Sequence, residues 1–166
     1  QFNGTDSYIK TPLQLNSLVA NGEFTFTGWV KIQGTWAAST GFYGQNDLIE
    51  FGQNSATTIS AWAAGGGSVS GTVPPADEWA MVTITYVFDG TDMVETLYVN
   101  NYVAGQNIGT KSINATAGTN YYFTIGGCVW NSEGGFFNGL IDDVAVFPTA
   151  LTSDDISLLY NVGKFG

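Results

Sequence analysis

The stretch Phe137-Asn138-Gly139-Leu140-Ile141-Asp142-Asp143-Val144-Ala145-Val146-Phe147 decides the fold class of this 166-residue chain. In an extended strand, residues two apart share a face. Val144 and Val146 therefore mark a core-facing side, and Asp142 has their parity. Asp143 has the opposite parity and reads as solvated. Further on, Thr152 and Asp155 have the spacing of a capping box ahead of Ile156, Leu159 and Tyr160, which fall on one helical face. The expectation is a last strand followed by one short helix near 152–160, packed on the body of the protein.

Upstream, the same two-residue period recurs. Phe24, Phe26, Gly28 and Val30 share one parity, and Thr25, Thr27, Trp29 and Lys31 the other. Ala80, Val82, Ile84, Tyr86 and Phe88 form the apolar side of a second strand. Asp89-Gly90 turns the chain into Glu95-Thr96-Leu97-Tyr98-Val99, and Asn100-Asn101 suits a tight hairpin because Asn tolerates positive φ. Tyr121, Phe123 and Ile125 open another strand. Short alternating runs between turn residues imply an all-β, two-sheet antiparallel sandwich. Gly65-Gly66-Gly67 and Val73-Pro74-Pro75-Ala76-Asp77 are loops and not linkers, so residues 1–166 read as a single domain.

Composition narrows the function. Charged residues are only 11% against 44% hydrophobic, so the surface must rely on Thr, Ser, Asn, Gln and Gly, as on many secreted or cell-surface β-proteins. A net charge of −10 repels a phosphate backbone and an anionic bilayer surface, which argues against nucleic acid. No apolar run is long enough for membrane insertion as a helix. With one cysteine, Cys128, and no histidine, an internal disulfide, the common zinc sites and Ser-His or Cys-His nucleophiles are excluded. Asp47 and Glu50, three apart, would lie on opposite faces of one strand, a poor arrangement for paired glycosidase carboxylates. The reading is that the chain is not an enzyme.

Aromatic side chains offer the alternative. Sugar rings present apolar C–H faces rimmed by hydroxyls, which aromatic platforms with nearby amides can hold. Trp36, in a loop-like Gly34-Thr35-Trp36-Ala37, is followed by Phe42-Tyr43-Gly44-Gln45-Asn46. Trp62 has the parity of Thr58 and Ser60, opposite Ile59. Trp130 precedes Asn131 in a Gly-rich stretch. Trp36, Tyr43, Asn46, Trp62, Trp130 and Asn131 are therefore the candidate ligand contacts, with loop anchoring or packing as the competing role for each tryptophan. The polar-side parity of Trp29 leaves a sheet-face role open to it.

Taken in order, these landmarks resemble the laminin-G-like, concanavalin A-like lectin domains of the bacterial type. The resemblance rests on Phe2-Asn3-Gly4-Thr5-Asp6-Ser7-Tyr8, Phe24-Thr25-Phe26-Thr27-Gly28-Trp29-Val30-Lys31 and Trp79-Ala80-Met81-Val82-Thr83-Ile84-Thr85-Tyr86. It is completed by Leu97-Tyr98-Val99-Asn100-Asn101, with Asn where the family usually has Gly, by Ile125-Gly126-Gly127, and by Gly139–Val144. It implies a jelly-roll sandwich, a fold that hosts several functions, and it places Trp29 and Trp79 at framework positions. Related jelly rolls often hold a structural calcium ion between an aspartate at the place of Asp142 and the N-terminal loop. The resemblance so nominates Asp142 with Asn3, Gly4 and Asp6 as a Ca2+ site; backbone N–H groups satisfying Asp142 are the alternative. The functional expectation is a non-catalytic, lectin-like module binding a polysaccharide or glycan, part of a larger secreted or surface protein. The competing expectation is a structural or adhesive domain of a surface protein, fibre or virion.

Overall fold

The computed structural model describes residues 1–35, 39–127 and 134–164. In chain order the elements are β1 (Phe2–Asn3), β2 (Ile9–Lys10), α1 (Asn16–Val19), β3 (Glu23–Ile32), β4 (Thr40–Gln45), β5 (Ile49–Gln53) and β6 (Thr58–Ala63). They continue with β7 (Gly67–Thr72), β8 (Trp79–Phe88), β9 (Met93–Val99), β10 (Tyr102–Gly109), β11 (Phe123–Ile125), β12 (Asn138–Phe147) and α2 (Ser153–Lys164). Two six-stranded sheets result, in the orders β1-β12-β3-β8-β9-β10 and β2-β11-β4-β5-β6-β7. Every strand pairing is antiparallel. The expected jelly-roll sandwich is present.

The core is made by the predicted alternation. Phe24, Phe26, Val30, Val82, Ile84, Tyr86 and Leu97 of the first sheet bury against Tyr43, Ile49, Phe51, Ile59, Ala61 and Phe123 of the second. Phe24 stacks on Tyr86 with ring centres 5.2 Å apart, and Phe26 meets Phe123 edge-on across the sheets. Tyr43 carries a hydroxyl into this layer and still finds a partner. Its Oη donates to the Val82 carbonyl at 2.6 Å, and its ring passes over Gly28, where a Cβ would stand 3.1 Å from Tyr43 Cε1. Gly28 and Val82 are register partners, so a missing side chain on β3 admits the ring that ties β4 to β8.

The outer face of the first sheet carries a third layer. Met81, Tyr98 and Ile156 form a small cluster with Trp29, Leu151, Leu159 and Tyr160. Helix α2 is held there by its predicted cap: Asp155 accepts from Thr152 N at 3.0 Å and Oγ1 at 2.6 Å, while Asp155 N donates to Thr152 Oγ1 at 3.2 Å. Those Thr152 bonds hold the Asp155 carboxyl below its usual range. The connection from β12 to α2 is locked in turn by Thr25, whose Oγ1 accepts from Leu151 N and donates to the Thr149 carbonyl. The short helix α1 was not anticipated; its four residues lie below any periodic signal.

The most consequential departure is in β12. Its pairing with β3 runs Asp142↔Trp29 and then Ala145↔Thr27, so one extra residue, Asp143, is inserted. This β-bulge reverses the parity. Ile141, Val144 and Val146 all pack on the core, although 141 and 144 are an odd number apart. Asp142 is therefore exposed on the outer face, not buried with the valines.

Glu95 is a carboxylate that does lie inside. It shares the inward parity of Met93 and Leu97 on β9 and has no exposed surface. Oε2 accepts from Asn107 Nδ2 at 3.3 Å, and Oε1 has no hydrogen-bond partner. Burial pushes its carboxyl from 4.5 up to about 7, opposed by the Asn107 hydrogen bond. Because the folded value is raised, the folded state holds this proton more tightly than the unfolded chain. The stability tied to it is complete below about pH 4.5 and is lost as pH rises through 7, a difference of order 3 kcal/mol. Glu95→Gln should accordingly raise the melting temperature at pH 8 and leave it nearly unchanged at pH 4. Equal melting temperatures for variant and wild type at pH 8 would contradict this account.

Candidate functional site

The bulge places carboxylates beside an aromatic surface. Trp29 and Trp79 project from β3 and β8 on the outer face of the first sheet, opposite the C-terminal turns of α2. Trp29 stacks on Tyr160 with ring centres 5.6 Å apart and planes 18° from parallel. Together with Asp142, Asp143, Val162, Gly163 and Lys164, these three rings line a cavity of about 520 Å³. A smaller cavity of about 190 Å³ shares Trp29, Asp143, Val162 and Gly163 with it. Trp79 is 42% exposed, unusual for a tryptophan on a face otherwise covered by threonines and the helix.

Each wall has a local cause. Asp143 adopts φ 49°, a left-handed conformation that Asp and Asn tolerate better than most residues. Its N–H donates to Asp142 Oδ1 at 2.9 Å, so the bulge is closed by its own acid pair. Gly163 allows the helix to approach: a Cβ there would stand 2.5 Å from Trp29 Nε1. Lys164 Nζ lies over the Tyr160 ring, 5.5 Å from its centre. The result is a partly open cleft with apolar ring faces on one side and hydrogen-bond acceptors on the other.

The residues singled out from the sequence are scattered. Tyr43 is fully buried and spends its hydroxyl on Val82, so it is a core residue without ligand-facing surface. Asn46 is 95% buried in the turn after β4, again out of reach of a ligand. Trp62 is half-buried on the outer face of the second sheet, between Glu50 and Ser68 in the ladder. Trp36, Trp130 and Asn131, like Cys128, lie outside the described residues. Asp47 and Glu50 do not obey strand parity, because Asp47 is in the turn before β5 with φ 61°. Glu50 reaches back to accept from Asp47 N at 2.9 Å, and burial raises its carboxyl from 4.5 to about 7, a shift the hydrogen bond opposes. The residues missed were Trp29 and Trp79, passed over as framework, and Asp143. The signal available was two acids between aliphatic positions 141 and 144.

The proposed calcium ligands do not converge. Phe2 and Asn3 pair with Gly139 and Asn138, so Asp142 lies three to four residues further along β12, about 10–13 Å away at the rise of a strand. Gly4 continues away from Asp142, its N–H donating to the Phe137 carbonyl at 2.9 Å, and Asp6 is held at Asn3. Asn3 Oδ1 is occupied by the N–H groups of Thr5, Asp6 and Ser7, and Asn3 Nδ2 donates to Asp6 Oδ1 at 2.8 Å. The N-terminal loop is thus closed by its own asparagine. Among the described residues no group of three or more His, Cys, Asp or Glu side chains is gathered for a metal. These four residues do not fit one shared Ca2+ ion.

A six-on-six antiparallel sandwich with a helix on one face and an aromatic cleft beside it defines the class, a lectin-type jelly roll. The chain belongs to the concanavalin A-like lectin/glucanases superfamily, whose family model matches residues 3–157. A search of curated proteins found no match. Among solved structures, the CBM40 module of the Ruminococcus gnavus IT-sialidase, bound to α2,3-sialyllactose, aligns with TM-score 0.75 at 10% identity over 96% of this chain and 95% of that one. A candidate carbohydrate-binding protein from Bacteroides ovatus aligns at TM-score 0.71 and 15% identity, over 94% of this chain and 45% of that one. Domain 4 of the extracellular arabinanase AbnA from Geobacillus stearothermophilus, in complex with arabinotriose, aligns at TM-score 0.63 and 20% identity, over 84% of this chain and 66% of that one. The chain thus spans less than two thirds of two of these three neighbours. At these identities the likeness is one of fold.

Two outcomes test the geometry. The separation of Asn3 from Asp142 predicts that adding EDTA or millimolar calcium leaves the melting temperature within about 1 °C; a rise of several degrees with calcium would restore the metal site. Gly163→Ala should push the end of α2 off Trp29 and destabilise the protein by about 1–3 kcal/mol, with a change in tryptophan fluorescence. An unchanged melting curve and emission spectrum would show that the helix does not need this approach.

Proposed function

We propose that this chain is a non-catalytic carbohydrate-binding module of a secreted or cell-surface protein, and that it holds sugar in the cleft between β12 and α2. The observation that carries the reading is the exposed Trp79 ring beside the stacked Trp29–Tyr160 pair, with Asp142 and Asp143 as acceptors at the same opening. Ring faces match the C–H surface of a pyranose or furanose, and carboxylate oxygens accept from its hydroxyls. The cleft has the size of a ligand site and opens to solvent, as binding to an extended glycan requires. The family and the structural neighbours named for carbohydrate binding support the same reading. The chain has no histidine, and among the described residues the two raised carboxyls, Glu50 and Glu95, sit on different sheets, which supports binding over catalysis.

One observation favours a second reading, a protein-interaction or adhesive domain. Strand β10 is the edge of the first sheet, and Tyr102, Val103 and Ile108 on it are 75%, 59% and 67% exposed. Exposed apolar edges are sites of strand addition.

A screen of immobilised polysaccharides and glycans with the folded protein separates the two. Selective binding that falls at least tenfold in Trp79→Ala, with an unchanged fold, is the expected result. Folded protein that binds no glycan but self-associates with rising concentration would favour the edge-strand reading.

A further inference from the structure

Given that the cleft holds sugar, its charge decides which sugars it admits. We infer that the cleft selects uncharged oligosaccharides and rejects those carrying sialic or uronic acids. The inference rests on the carbohydrate-binding reading and deepens it.

The argument starts from the backbone. The bulge turns Asp142 outward, opposite Trp29 in the ladder, and both Asp142 and Asp143 are exposed at the lining of the cleft. The left-handed φ of Asp143 is tolerated with a short acceptor side chain, so backbone and charge are set together. Among the described residues that line the cleft Lys164 is the one cation, with its ammonium placed over the Tyr160 ring, and Lys31, the ladder partner of Trp79, adds a second at the edge of the same face; neither is an arginine. A carboxylate-bearing sugar is bound well by paired, directed donors, of which arginine is the best example. This chain has four Lys and Arg residues in total against fourteen acids. An anionic sugar entering here would meet two carboxylates that accept hydrogen bonds and donate none. A neutral sugar meets acceptors suited to its hydroxyls, and adjacent hydroxyls can both be engaged by one carboxylate. The R. gnavus module, which shares the fold, was solved with sialyllactose. The two chains are only 10% identical, so that ligand does not carry over to this one.

The test is a binding series on an array of neutral, sialylated, uronic and amino-sugar oligosaccharides. It uses wild type, Trp79→Ala and the double variant Asp142→Asn/Asp143→Asn. Asn is well tolerated at left-handed φ, so the double variant should keep the bulge. The expected result is binding of neutral glycans whose affinity is nearly flat with salt, and about tenfold or greater preference over their sialylated or uronic counterparts. The double variant should lose roughly tenfold in neutral affinity, as charge-assisted bonds become neutral ones, and should lose most of the discrimination. Acidic or amino-sugar glycans binding best, and losing affinity in Trp79→Ala, would overturn the selectivity while leaving the cleft as the sugar site. Neutral binding that neither variant affects would overturn the cleft assignment itself. Folded protein that binds nothing on the array would overturn the carbohydrate-binding reading, and the selectivity with it.

Discussion

The extra residue at Asp142–Asp143 is the constraint on which the rest of this molecule's outer surface depends. Core packing demands that Ile141, Val144 and Val146 all point inward, and a regular strand cannot satisfy an odd spacing. Expelling one residue resolves the conflict. The expelled residue is an acid that tolerates left-handed φ, and its neighbour's carboxylate takes its N–H. Burial of aliphatic carbon thus determines where two charges emerge. They emerge opposite Trp29 and near the end of α2 because β3 is the ladder partner of β12 and α2 follows β12 in the chain.

Most of the scaffold was readable because its signals are local and redundant. The alternation of Phe24-Thr25-Phe26-Thr27 and of Val82-Thr83-Ile84-Thr85 states which side is buried, and the two strands pair as that pattern requires. The Thr152–Asp155 cap is a short-range hydrogen-bond geometry that sequence spacing specifies almost completely. Asn100 does take the positive φ its hairpin needs. These features involve neighbours in sequence or a single repeated period.

The candidate site was far less readable, for identifiable reasons. Parity extrapolated backward from Val144 and Val146 crosses the bulge and returns the wrong face for Asp142. Tyr43 was singled out in the stretch that follows Trp36, but β4 has its own irregularity between Gly41 and Tyr43, and the rings of Phe42 and Tyr43 are both buried in the core. The family resemblance placed Trp79 in the framework, yet it is exposed where helix cover gives out. Nothing in one sequence states how far a helix extends over a sheet face. Glu95 is the opposite case: its parity with Leu97 and Val99 agrees with its burial.

The cleft is best understood as the unfinished part of the third layer. Along the outer face of the first sheet, Thr25, Thr27, Thr83, Thr85 and Thr96 are buried, and Thr27 and Thr83 satisfy each other's hydroxyls at 2.7 Å. Threonine suits this role because its methyl can be covered and its hydroxyl bonded locally. Ile156 at the start of α2 seals this region on Met81 and Tyr98. Further along the helix the sheet residues change from threonine to tryptophan, and the helix offers Tyr160 and then the bare Gly163. Gly163 brings the helix against the Trp29 ring, but Trp79 beyond it is left without that cover. The space beside Trp79 stays open, apolar on its ring faces and acidic at Asp142 and Asp143. An accessory face that merely covered the sheet would have continued the threonine pattern to its end.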